Sequence, residues 1–196
     1  MTRRTLGITA VALAALALQT GNAYEVPQAP ASAMKLTAED YAEIQQLVAR
    51  YPWALDHCTR GGYDYADLYV DDGIFAAATR WGTTSDDQRA SVARGRRALA
   101  IAAGGGPDGK CLPPEYNRGY GATHLLTNLL ITPTATGAVG LSRLLVAGVC
   151  NYPHTLELQS GYEDIYVKTA RGWRFKSRIH VLDAGHSLQF GACDGH

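Results

Sequence analysis

From about residue 122 onward the chain is written as one strand-like segment after another, and this succession limits its fold more than any other feature. The segments run roughly over 122–133, 138–150, 156–169 and 172–182, separated by turn-like stretches such as Thr136-Gly137 and Ala170-Arg171-Gly172. In the last of them Trp173, Phe175, Ser177 and Ile179 alternate with Arg174, Lys176, Arg178 and His180, the two-residue period of a strand with unlike faces. The first half is helical. Thr37 is placed to cap a helix, with Asp40 in its first turn, and Tyr41, Ile44, Val48, Tyr51 and Leu55 recur at three- and four-residue steps to about Cys58. Pro52 removes one backbone donor and should bend the final turn. Gly61-Gly62 stops this helix, and a short one follows from about Tyr63 to Tyr69. An Asp72-Gly73 turn, a strand from Ile74 to Trp81, a polar loop at Asp86 to Gln88 and a short helix from Arg96 to Ala103 come next. A Gly- and Pro-rich loop then reaches Tyr120. Helices first and a meander of strands afterwards predict a single α+β domain with an antiparallel sheet.

The N-terminus is expected to lie outside that domain. Arg3 and Arg4 precede a 13-residue apolar run, Leu6 to Leu18, and Gly21-Asn22-Ala23 follows. These are the parts of a secretory signal peptide, residues 1–23, with a loose likeness to a twin-arginine signal. A transmembrane helix needs about 20 apolar residues, so no membrane span is expected in the mature form. Residues 24–35, with Pro27 and Pro30, read as a flexible tether, and 36–196 as the folded domain. Export to the periplasm or outside the cell would put Cys58, Cys111, Cys150 and Cys193 in an oxidising compartment, where three pairings are open. Nearness in sequence favours Cys58–Cys111 and Cys150–Cys193.

Some functions are disfavoured by the residues present. Eighteen basic against eighteen acidic residues, with 18% charged overall, do not make a nucleic-acid binder, and 46% apolar content argues against disorder. Gly104 to Lys110 imitates a phosphate-binding loop, but a helix precedes it, Cys111 replaces the hydroxyl and Pro113-Pro114 follows. Arg89, Arg94, Arg96 and Arg97 lack interleaved aromatics and read as a solvated face. No Cys-x-x-Cys is present, and Cys193 with His196 is a poor zinc set, so no metal is expected.

Four motifs occur in a telling order: "RYPWALD" on the first helix, "YADLYVDDGIF" leading into the first strand, "THLLTN" on a central strand and "GYEDIYVKTARGWRFKSRIHV" on the last hairpin. In these the chain, over about 36–183, resembles the SnoaL-like branch of the NTF2-like superfamily. The resemblance implies a cone in which a curved, mixed or antiparallel sheet wraps around N-terminal helices and encloses a pocket. Its enzymes include scytalone dehydratase, bile acid 7α-dehydratase, a dehydrochlorinase, ketosteroid isomerase relatives and a diarylpropane formaldehyde-lyase. By the same resemblance Asp56 and His124 match an Asp–His pair, Tyr51 a Tyr or Lys five residues before that Asp, and Arg178 an Arg of the last strand. Asn128 completes a His-x-x-x-Asn pattern. The chain departs from the bile acid enzyme in having no carboxylate over Leu144 to Gly148, and from the dehydrochlorinase in having Tyr51 in place of Lys. A homo-oligomer is also implied, with a trimer expected and a dimer open.

The chemistry stands on the residues themselves. A carboxylate accepting one ring N–H of His fixes the tautomer and raises the basicity of the other nitrogen. His124 could then take a proton, with Tyr51 donating to a developing oxygen and Arg178 stabilising its charge. Strand alternation is expected to put Leu126, Asn128 and Leu130 on the face of His124, an apolar wall with isolated polar groups. His180 is a further pocket residue, and Tyr69, Phe75, Tyr120 and Tyr166 line the pocket or serve as plain core. Two blander readings remain open: Asp56 with Arg178 as a buried ion pair, and His124 as a core histidine. The expectation is a cofactor-independent lyase that eliminates water or formaldehyde from a hydrophobic, aromatic small molecule; a double-bond isomerase and a non-catalytic binding protein are the alternatives. Expressed with its leader in a Gram-negative host, the protein should be recovered from the periplasm with Tyr24 as its first residue by N-terminal sequencing. Retention in the cytoplasm at full length would contradict the export reading.

Overall fold

The computed structural model describes residues 26–82, 89–113, 122–147 and 156–182. Helix α1 (Ala38–Asp56) is followed by α2 (Tyr63–Ala66), β1 (Tyr69–Ala78), β2 (Arg89–Arg94) and α3 (Arg96–Ala102). Strands β3 (Thr123–Pro133), β4 (Ala138–Ala147), β5 (Leu156–Thr169) and β6 (Gly172–Val181) complete the described chain. They form one sheet in the order β2-β1-β6-β5-β4-β3, antiparallel except where β1 lies parallel to β6. The α+β class and the mixed sheet agree with the expected cone. The signal-peptide segment, the 183–196 tail, Tyr120, and Cys150 with Cys193 lie outside the described residues.

Helix α1 packs one apolar stripe, Ile44, Leu47, Val48, Tyr51 and Ala54, onto the sheet. Its start is a capping box: the Thr37 hydroxyl accepts from the Asp40 N–H while the Asp40 carboxylate accepts from the Thr37 N–H. The same carboxylate, itself buried, takes hydrogen bonds from Trp173 Nε1 at 3.0 Å and Lys168 Nζ at 2.6 Å. Lys168 first, then the Thr37 N–H and Trp173, hold the Asp40 carboxyl well below the usual carboxylate range. The helix entrance is thereby fastened to the β5–β6 hairpin. The stretch expected as a tether also touches the fold, through Met34 N–H to Thr134 O and the Thr132 hydroxyl to Pro27 O.

Three departures from a regular pattern decide which side chains reach the helix-covered face. In β1 the Asp72-Gly73 turn proves to be an excursion inside a longer strand, since Tyr69 pairs with Phe175 and Ile74 with Ser177. In β3 one extra residue enters between the pairs Thr127–Arg143 and Leu130–Leu141, and Asn128 takes φ +52°. The alternation of His124 and Leu126 is therefore continued by Leu129 and Ile131, whereas Asn128 and Leu130 are exposed. The expected shared face of His124, Asn128 and Leu130 is thus corrected. In β6 Lys176 is the extra residue, because Phe175 pairs with Tyr166 and Ser177 with Ile165. The strict two-residue period breaks there, and Arg178 joins Phe175 and Trp173 in the buried interior.

Strand β2 was not expected. Its residues, Arg89 to Arg94, carry no clear apolar alternation; the strand pairs antiparallel with β1, and Ala93 is buried in the core. On the opposite face of the sheet Ala76, Ala78, Ile179 and Val181 form a smaller core with Ile74 and Trp81. The expected Cys58–Cys111 disulfide is present and joins the end of α1 to the turn after α3. The junction is tight: Gly61, at φ +65°, approaches the Gly109 carbonyl so closely that no Cβ would fit. Because this bridge spans 53 residues, replacing both cysteines by Ser should lower the unfolding free energy by about 2–4 kcal/mol in urea titrations. An unchanged midpoint would show the bridge adds nothing.

Candidate active site

The last turn of α1 and the first residues of β3 meet at an edge of the sheet, and Asp56 and His124 sit at that junction. The Asp56 carboxylate binds His124 twice. Oδ1 lies 2.5 Å from Nδ1 of the ring, and Oδ2 accepts the His124 backbone N–H at 2.9 Å. Both side chains are largely enclosed, at 10% and 15% exposure. A carboxylate on Nδ1 holds the proton there and directs the lone pair of Nε2 outward, as a base requires. The pair is an Asp–His dyad, and the competing Asp56–Arg178 pairing does not form.

The dyad belongs to the wall of a cleft of about 1230 Å³ between α1 and β3. Val48, Ala49, Pro52 and Trp53 contribute from the helix, Leu126 and Leu129 from the strand, and Asn128 borders it at the bulge. Trp53 is 70% exposed, the most exposed large apolar side chain among the described residues. Gln45, Thr127 and Asn128 add polar groups among the apolar side chains, a lining that suits a largely hydrophobic small molecule with a few polar substituents.

Behind the dyad the interior is unusually rich in hydroxyls. The Tyr51 and Tyr162 hydroxyls lie 3.1 Å apart, and those of Tyr65 and Tyr69 lie 2.9 Å apart, all four residues being buried. Burial pushes each of these phenols above its ordinary pKa, with Arg178 partly opposing the rise at Tyr51, Tyr69 and Tyr162. They remain neutral donors. Arg178, with no exposure, forms a bidentate pair with Asp164 through Nε–Oδ1 and Nη2–Oδ2, both 2.8 Å. Its guanidinium lies 4.0 Å from the Tyr51 ring centre and 4.3 Å from those of Tyr162 and Phe175. Burial opposes the Arg178 charge, but Asp164 more than offsets it, so the pKa rises well above the ordinary value.

The expected site residues are therefore divided. Asp56 and His124 come together in the cleft, and Asn128 borders it from the exposed side of the bulge. Tyr51 and Arg178 lie behind the dyad in the core and are not among the residues of the cleft wall. Tyr69 and Tyr166 are buried core residues, bonded to Tyr65 and Asp164 respectively, and Phe75 is half-buried against the same core. His180 is half-buried, its Nε2 2.7 Å from the Ser160 hydroxyl and its ring stacked on Tyr162 at 5.2 Å. Asp164, Ser160 and Tyr162 were missed. The even spacing of Ser160, Tyr162, Asp164 and Tyr166 marks one face of β5, but only the bulged register of β6 sets Asp164 opposite Arg178. Among the described residues no cluster of His, Cys, Asp and Glu could hold a metal ion, and no helix is long and apolar enough to cross a membrane.

With this geometry in place, comparison with known proteins identifies the class. A SnoaL-like domain model matches residues 36–179, and the chain belongs to that family. Among solved structures it is similar to an NTF2-like protein with a cystatin-like fold from Novosphingobium aromaticivorans, at 23% identity over 75% of this chain and 84% of that one, TM-score 0.59. A protein of unknown function from Nostoc punctiforme with the same fold is 22% identical over 79% and 99%, TM-score 0.58. A provisionally assigned scytalone dehydratase from Novosphingobium aromaticivorans is 20% identical over 76% and 95%, TM-score 0.52. These likenesses establish the fold. No curated protein matches the sequence.

Burial, then the neighbouring His124 and Arg178, push the His180 pKa down from 6.5 to about 4. Between these values the unfolded chain binds a proton that the folded chain refuses, so stability falls as the pH drops from 6.5 toward 4. That window should cost about 3 kcal/mol in pH-dependent urea titrations, and His180→Gln should flatten the slope. An identical slope in the variant would assign the acid sensitivity elsewhere.

Proposed function

We propose that the protein is a cofactor-independent lyase that eliminates water, or a small fragment such as formaldehyde, from a hydrophobic aromatic compound. The observation that carries this reading is the Asp56–His124 dyad at the edge of an apolar cleft. Asp56 fixes the imidazole and His124 takes the proton, while Arg178, paired with Asp164, braces the core behind them. Proton abstraction followed by loss of a leaving group needs neither a metal nor an organic cofactor. Tyr51 lies outside the cleft wall, its hydroxyl tied to Tyr162, and supports the site from the core. The leader supports work outside the cytoplasm on compounds met in the surroundings. Exposed Leu125, Leu130 and Ile165, on the side of the sheet away from α1, support a homo-oligomer, with a trimer as our preferred state.

A panel of aromatic alcohols, hydroxyketones and diarylpropanes incubated with the protein and followed by mass spectrometry tests the reading. The expected product is lighter by one water or one formaldehyde. His124→Ala and Asp56→Asn should each lower kcat by about 10²–10⁴-fold while leaving the circular dichroism unchanged. A compound that binds, shifts the thermal midpoint and is returned intact would make this a binding protein.

A further inference from the structure

A second groove runs along the other flank of α1, between that helix, α2 and the turn joining β5 to β6. It encloses about 730 Å³, the size of a small-molecule site, and shares only Trp53 with the wall of the dyad cleft. Buried Leu47 and Leu68 give it an apolar wall. Asp64 and Asp67, also in the wall, are already held by arginines outside the groove. Arg60 lies 3.1 Å from Asp64 and 3.0 Å from Asp67, and Arg96 meets Asp67 at 2.6 Å.

Two other charged residues of the wall are not satisfied in this way. Half-buried Arg174 donates from Nη1 to the Trp173 carbonyl at 2.7 Å, but its Nε is buried and has no hydrogen-bond partner among the described residues. The edge with which Arg178 grips Asp164, Nε beside Nη2, therefore holds no carboxylate in Arg174. Burial, then the neighbouring charges of Arg171 and Arg50, press the Arg174 pKa below its ordinary value. Glu43 is the converse case, since its Oε2 is buried and accepts no hydrogen bond among the described residues. The two side chains nevertheless flank one spot. A Cβ placed on Gly172, which has none, would lie 3.6 Å from Glu43 Oε2 and 3.7 Å from Arg174 Nη1.

A buried donor and a buried acceptor, each left without a mate, are costly, and an arginine edge is best satisfied by a carboxylate. Exposed Arg50 and Arg171 add positive charge near Arg174, and exposed Glu39, one helical turn before Glu43, adds negative charge beside it. A ligand of one sign would be drawn to one set and repelled by the other. A ligand carrying both signs on neighbouring atoms satisfies both. We infer that this groove binds a small zwitterion, an α-amino acid with an apolar side chain, whose carboxylate pairs with Arg174 and whose ammonium pairs with Glu43. Gly172 leaves room between the two groups for the ligand backbone, and Leu47 and Leu68 supply the surface for its side chain. Arg50 and Arg171, on long exposed side chains, close over the carboxylate. The site is independent of the dyad and of any chemistry there.

L-Phenylalanine, 3-phenylpropionate and 2-phenylethylamine share one apolar body and carry, in turn, both charges, the carboxylate alone and the ammonium alone. Calorimetry at neutral pH should show phenylalanine binding about tenfold or more tightly than either of the others. Arg174→Gln should abolish that advantage and weaken phenylpropionate as well. Glu43→Gln should also abolish it, while sparing phenylpropionate. Circular dichroism and thermal midpoints separate these effects from misfolding. Arg174→Lys, which keeps the charge without the planar edge, serves should the Gln variant not fold, and an intermediate affinity is expected of it. Absence of phenylalanine binding overturns the assignment, as does an affinity unchanged in folded Arg174→Gln, Arg174→Lys or Glu43→Gln. Phenylpropionate binding as tightly as phenylalanine would make the groove a plain anion site and overturn the zwitterion. None of these measurements needs turnover, so a substrate panel returned intact would remove the lyase reading and leave this one standing.

Discussion

A charge held in the middle of an aromatic core organises this molecule. Arg178 has no contact with water, yet remains charged because Asp164 meets it with two parallel hydrogen bonds and Tyr166 donates to the same carboxylate. Taking two ions out of water is expensive and is tolerated only with good geometry; the bidentate contact supplies it, although Arg178 Nη1 has no hydrogen-bond partner among the described residues. The pair demands one register between β5 and β6 and no other. Sliding either strand by one residue would strand an unpaired charge among Tyr51, Tyr162 and Phe175. The aromatic rings stacked around the guanidinium are thereby set, and through Tyr51 so is the seat of α1.

The helix itself is moored at both ends by carboxylates. Asp40 in its first turn takes hydrogen bonds from Trp173 and Lys168, and Asp56 in its last turn takes two from His124. The helix thus bridges the β5–β6 hairpin to the edge strand β3. The dyad is the far mooring of this bridge, so its geometry inherits the rigidity of the whole core. The Cys58–Cys111 bridge two residues beyond Asp56 steadies the same turn, where Pro52 has already removed a backbone donor.

Much of this was legible in the residues. The amphipathic spacing from Tyr41 to Leu55, the Thr37–Asp40 cap and the run of strand segments define the helix, the sheet and their order. The dyad was legible through the motifs that carry the family resemblance. What escaped reading was register. An extra residue at Asn128 or at Lys176 leaves no mark in composition, because a bulge is a property of two strands and appears only when they pair. Those two insertions moved Asn128 and Leu130 outward and Arg178 inward. Asp164 shows the same limit: it is an acidic residue on a well-patterned strand until its partner comes into register. Strand β2 was hidden for another reason, since an edge strand with one buried alanine, Ala93, between two arginines shows little apolar alternation.

The double use of Asp56 reaches beyond chemistry. β3 is an edge strand of eleven residues, the kind of open backbone row that recruits strands from neighbouring chains. Asp56 occupies the His124 N–H on that open side, and the left-handed turn at Asn128 interrupts the row further along. A foreign strand therefore finds no unbroken ladder to extend. Loss of the carboxylate would free the His124 N–H on the open edge, so Asp56 carries a structural duty independent of any chemistry at the site.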